Sequence, residues 1–167
     1  MRAALAALGG LLLAGCGPSP HGPALPFELT ISAALADTIS GFQVSLVNKG
    51  SSLDCTQVQQ NCLVKQVSAD RFVRVQDASG VEHAAVVVPL KLVAGTPSTQ
   101  NTELRNVPPG KDFALVVEAL SKLSPPNLVG SSCTYVPEIT AGANAAVLTQ
   151  TIKPLATPVA CDPRVEK

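Results

Sequence analysis

Apolar side chains recur at every second position in short runs, and each run stops at proline, glycine or a cluster of Ser, Asn and Asp. Phe27, Leu29, Ile31 and Leu35 share one face of the first run, Phe42, Val44 and Leu46 of the second, and Phe113, Leu115 and Val117 of a third. A period of two puts successive side chains on opposite faces of an extended chain, so each run predicts a strand with one buried face. The breakers are turn formers: Ala36-Asp37-Thr38, Lys49-Gly50, Asp77-Ala78-Ser79-Gly80 and Pro108-Pro109-Gly110. Single strands this short cannot hide an apolar face alone. The expectation is an all-β domain in which two sheets pack face to face, with about seven to nine short strands.

The same reading assigns the remaining segments. Residues 63–67, 71–76, 128–136 and 145–152 are expected strands, and residues 94–101 (A-G-T-P-S-T-Q-N) a loop. Residues 81–92 alternate at first and then run continuously apolar from Ala84 to Val88, which predicts a strand buried on both faces and bent by Pro89. Glu118 interrupts an apolar strand and is expected on an outer, solvated face. The chain after Pro154 reads as an irregular tail.

The amino terminus carries an address. Met1-Arg2 is followed by residues 3–13, which contain only Ala, Leu and Gly. That run is too short to span a bilayer, which takes about 20 apolar residues, and fits the apolar core of a signal peptide. It ends in Leu13-Ala14-Gly15-Cys16, which resembles the lipobox of bacterial lipoproteins at all four positions. The resemblance implies that residues 1–15 are cleaved and that Cys16 becomes the lipidated first residue, held in the membrane by acyl chains. Gly17, in place of an inner-membrane retention signal, is compatible with the outer membrane. Residues 17–26 (G-P-S-P-H-G-P-A-L-P) follow as a proline-rich tether, about 3.1 Å per residue where extended. His21 belongs to this tether, and residues 27–167 form the expected single domain.

An exported domain with four remaining cysteines, Cys55, Cys62, Cys133 and Cys161, predicts two disulfides. Three pairings are open. Proximity in sequence favours Cys55–Cys62 and Cys133–Cys161, which would pin the carboxy-terminal tail. The polar segment between the first pair, with Thr56, Gln57, Gln59, Gln60 and Asn61, then reads as a stapled surface loop and a candidate binding loop. A metal site is not expected, because neither spacing is a C-x2-C knuckle and no histidine lies near either pair.

One stretch carries a resemblance of fold. Residues 102–120 run as a short strand, Val107-Pro108-Pro109-Gly110, and a long strand Phe113-Ala114-Leu115-Val116-Val117. This is similar to the Pro-Pro-Gly hairpin of prealbumin-like and carboxypeptidase-regulatory-like modules. It implies an immunoglobulin-like or prealbumin-like Greek-key β-sandwich and names no activity.

The catalytic inventory is thin. The chain has no G-x-S-x-G elbow, no H-E-x-x-H and no glycine-rich phosphate loop. His83 is the one imidazole available to the domain. With 12 basic and 12 acidic residues, no Trp and one Tyr, the chain offers neither a basic patch nor an aromatic platform for nucleic acid. The expected function is therefore a non-catalytic envelope lipoprotein without cofactor, tethered at the outer membrane and engaging an envelope protein. A transthyretin-like carrier of small ligands is the alternative, and a small hydrolase working through His83 stands behind both.

Overall fold

The computed structural model describes residues 22–77, 79–91, 98–159 and 161–165. The signal peptide, Cys16, Gly17 and His21 lie outside the described residues. The described chain runs through β1 (Leu25–Ile31), α1 (Ala33–Ala36), β2 (Ile39–Asn48), α2 (Cys55–Val58), β3 (Val75–Gln76), β4 (Glu82–His83), β5 (Val86–Pro89), β6 (Ser98–Leu104), β7 (Gly110–Ser121), β8 (Leu128–Ile139), β9 (Val147–Leu148) and β10 (Lys153–Val159). One sheet has the order β6-β1-β9, and a larger one the order β10-β8-β7-β2-β5. A small β3-β4 ribbon stands apart.

The two main sheets pack on one another, so the all-β class holds. β1 alternates strictly, burying Leu25, Phe27, Leu29 and Ile31. These meet Phe42, Val44 and Leu46 of β2 and Phe113, Leu115 and Val117 of β7 in one cluster. Each such side chain contributes roughly 1.5–3 kcal/mol on leaving water.

β2 and β7 are also buried on their other face. A cap of short helical turns covers it: Gly50–Ser52, α2, Leu63–Lys65 and Ala69–Arg71. Val58, Leu63, Val67 and Phe72 of the cap pack on Val47, Val116 and Cys133 of the sheet. The domain thus has three layers over part of its area. Residues 63–67 are a helical turn instead of the expected strand. Leu63 and Val67 lie one helical turn apart, the Leu63 carbonyl accepts the Val67 N–H at 3.0 Å, and both side chains reach the sheet. Of residues 71–76, only β3 is a strand, and Phe72 makes an isolated antiparallel bridge to Val47.

Further expectations are corrected at the edges. The apolar run 81–92 is no central strand: β5 sits at the edge of the large sheet, and Val87 is 57% exposed. Pro89 has no N–H to give a further neighbour, which suits an edge. The polar stretch expected to be loop supplies the first four residues of β6, which runs on into the short strand expected from Thr102 and pairs antiparallel to β1 from Leu25↔Leu104 to Ile31↔Ser98. Residues 94–97 of that stretch, with 92 and 93 before it, lie outside the described residues. Gln100 of β6 accepts the Lys91 N–H and donates to the Pro89 carbonyl, tying the end of β5 to the other sheet. The Val107-Pro108-Pro109-Gly110 turn makes no hairpin. It is an arch, because β6 and β7 belong to different sheets. Residues 153–159, expected to be irregular, form β10 along β8.

The disulfide pairing is likewise corrected. Cys55 bonds Cys133 and Cys62 bonds Cys161, with Cα atoms 5.5 and 6.5 Å apart. Sequence proximity is a weak guide, since the entropy of closing a loop grows only with the logarithm of its length. Packing decides instead. The start of α2 lies over β8, where Cys133 sits in the cap cluster, and Cys62 clusters with Leu128 and Cys161. One bridge therefore fastens the cap to the sheet, and the other fastens the tail to the cap. Peptide mapping without reduction should yield peptides joining Cys55 to Cys133 and Cys62 to Cys161. A peptide pair joining Cys55 to Cys62 through sulfur would contradict this arrangement.

Candidate functional site

The expected binding loop is the short helix α2 and the turn that follows it on the cap. Asp54 caps α2, its Oδ1 accepting the N–H groups of Thr56 at 2.9 Å and Gln57 at 3.3 Å. Val58 turns inward. Thr56, Gln57 and Gln60 are exposed, and Gln59 and Asn61 are half-buried. Asn61 is used locally: its Oδ1 accepts the Cys62 N–H, and its carbonyl accepts Gln66 Nε2. The side chains of Thr56, Gln57 and Gln60 enter no hydrogen bond among the described residues. Three of the five expected residues thus form one outward polar surface, and Cys55 and Cys62 bracket it through bridges to two different elements.

Beneath the cap lies a group that sequence reasoning placed in solvent. Glu118 is 1% exposed. It stands in a row across three strands, with Gln43 of β2 on one side and Ser131 of β8 on the other. Its Oε1 accepts the Leu63 N–H at 2.8 Å, and its Oε2 accepts Gln43 Nε2 at 3.0 Å. Gln43 Nε2 also donates to the Pro163 carbonyl, and Gln43 Oε1 accepts the Val165 N–H at 3.2 Å. One amide thereby ties the carboxylate to the tail. Burial pushes the Glu118 carboxyl up to about 7, against the lowering effect of the Leu63 and Gln43 bonds. The hydroxyls of Ser45 and Ser131, on the same face, have no partner among the described residues. The available signal was the company Glu118 keeps: Ala114, Val116 and Leu120 share its face, and a face that apolar is a covered one.

His83 occupies a different setting. Its Nε2 lies 3.1 Å from Asp77 Oδ2, with both side chains about three-tenths exposed. Asp77 Oδ1 accepts Ser79 Oγ at 2.6 Å and the N–H groups of Ser79 and Val81. The Ser79 hydroxyl, followed by the backbone bonds and His83, holds Asp77 down at about 2. The carboxylate stands between hydroxyl and imidazole. Nucleophilic catalysis needs the imidazole in the middle, positioned to take the serine proton. The cluster instead builds the turn between β3 and β4.

Two open clefts flank the sandwich. One of about 510 Å³ lies between the edges of β5 and β6, with Lys91, Gln100 and Arg105 in its lining. The other, about 350 Å³, lies between β8 and β9 beside Tyr135 and Leu148. Among the described residues no group of His, Cys, Asp and Glu could hold a metal ion. None of their helices is long and apolar enough to cross a membrane.

Glu118 gives the fold a pH dependence of definite sign. Its carboxyl is raised from 4.5 to about 7 in the folded state, so between those values the folded protein keeps a proton that the unfolded chain has released. This contribution to stability is complete below the unfolded value and is lost as pH rises through the folded one. Denaturant titrations of the native protein and Glu118→Gln from about pH 4 to 8 should show the native protein losing on the order of 3 kcal/mol relative to the variant. Parallel stability profiles would contradict the assignment.

Compared with protein-family models, with curated proteins and with solved structures, the chain matches none, so its site is read from its own geometry.

Proposed function

We propose that this protein is a non-catalytic, lipid-anchored module of the bacterial envelope that engages a protein partner through its stapled cap. The observation that carries this reading is the cap surface. Thr56 and Gln57 project from α2 and Gln60 from the turn after it, and the flanking cysteines are bridged to the sheet and to the tail. A surface held in one shape before contact loses less conformational entropy on docking, and recognition commonly sits on short connections carried by a rigid scaffold.

Cys16, as the lipidated residue of the lipobox, supplies the anchor in this reading, and the outer membrane is the proposed home. The first described residues favour an ordered entry into the domain. Gly22 N–H donates to Asn106 Oδ1 at 3.2 Å, and Asn144 Nδ2 donates to the Ala24 carbonyl at 3.1 Å. The chain thus enters beside the β6–β7 arch, at the end of the sandwich opposite α1 and the turn after β7. The finer fold we propose is the prealbumin-like Greek key, supported by the packing of two sheets and by the pairing of β2 with the distant β7.

The carrier reading draws on the cleft between β5 and β6. The two readings separate experimentally. A photoreactive residue at Gln57 should capture a discrete envelope partner in cells, and one at Val87 should not. Cys16→Ser should release the protein from the membrane fraction or leave its precursor uncut, and His83→Ala should leave partner capture intact. Capture at Val87 alone would move the site to the cleft. A Cys16→Ser protein processed and membrane-bound as before would overturn the anchor.

A further inference from the structure

The cap and the tail are separate in sequence but mechanically joined. Cys62–Cys161 links them covalently, and both rest on the same polar row: Leu63 through its N–H on Glu118, Pro163 and Val165 through Gln43. The other bridge, Cys55–Cys133, fixes only the start of the cap to β8. We propose that residues 62–67 and 161–165 form a single flap over the outer face of the large sheet, hinged at the Cys55–Cys133 bridge, which opens when Glu118 loses its proton.

The chemistry sets the direction. A carboxylate accepts about four hydrogen bonds when fully hydrated, and the closed flap offers Glu118 two. An ionised Glu118 is therefore underserved beneath the cap and gains water when the flap lifts. A protonated Glu118 is better matched to the closed state. Burial no longer penalises it, and Ser131, directly opposite on β8, has a hydroxyl without a partner among the described residues. Opening also hydrates Ser45 and Ser131, whose buried hydroxyls otherwise stay unsatisfied. The apolar contacts of Leu63, Val67 and Phe72 oppose it.

Among the described residues no other charge competes for control of the proton. β2 carries no charged side chain, and β8 carries only Glu138, which is exposed near the far end of the strand. On the cap, Lys65 and Asp70 are exposed, Asp54 is engaged in capping α2, and Arg71 donates to the Asn48 and Lys49 carbonyls. On the tail, Arg164 and Asp162 pair with each other. On its own strand Lys111 and Asp112 lie at the opposite end from Glu118. Neither these nor Lys153 of β10 is among the causes that move Glu118, which are burial and its two hydrogen bonds.

Hydrogen–deuterium exchange of the disulfide-intact protein, with reduction only after quenching, reads the flap directly. After correction for intrinsic rates, the opening equilibrium of residues 62–67 and 161–165 should rise by up to about tenfold per pH unit toward pH 7 and level off above it. Both segments should follow one curve and open at a lower free energy than β2 and β7, whose amides exchange only on wider unfolding, and Glu118→Gln should flatten it. A flat profile in the native protein, a slope that persists in Glu118→Gln, or cap and tail on different curves would each overturn the proposal. The native profile and the coincidence of the two segments decide the matter even if the variant folds poorly.

Discussion

The central strands are apolar on both faces, and the rest of the molecule answers to that. In β7, Phe113, Leu115 and Val117 face the smaller sheet, while Ala114, Val116 and Leu120 face away from it. A two-layer sandwich would leave the second set in water. The chain between β2 and β3 is spent on covering it, as a cap of single helical turns too short to be stable alone. Their stability comes from Val58, Leu63, Val67 and Phe72 packing on the sheet and from the bridge to Cys133.

The polar row under the cap is the cost of that arrangement and gives it a use. Gln43, Glu118 and Ser131 interrupt a largely apolar face at aligned positions on three adjacent strands. A buried carboxyl with two donors ties together elements that are distant in sequence: β7, the Leu63 turn and, through Gln43, the tail. The same burial disfavours its charge near neutral pH. A buried polar link between cap and sheet is thus one whose strength depends on a proton.

Much of the sandwich was legible in the sequence because period-two patterning reports local geometry. β1, β2, β7 and β8 follow directly from Phe27, Phe42, Phe113 and their alternating partners. What failed was whatever depended on the third layer. The apolar spacing of Leu63 and Val67 fits a strand or a helical turn equally, and only the sheet beneath chooses between them. Glu118 looked solvated because nothing local announces the cap above it. The cysteine pairing failed because it follows packing across layers, while proximity along the chain constrains it weakly. The first half of β6 was hidden by its polar composition, which an edge strand tolerates. At the candidate site, the exposed Thr56, Gln57 and Gln60 were legible as polar residues between cysteines, but their helical presentation was not.

The central claim is that Glu118 is enclosed between sheet and cap, and its own titration tests this most directly. Carbon-13 NMR of the side-chain carboxyl in the oxidised protein, followed against pH, should give Glu118 a midpoint near 7, set apart from the other carboxyls. A midpoint at the ordinary glutamate value of about 4.3 would contradict the account, since it would mean that water reaches the carboxylate and the cap does not close over it.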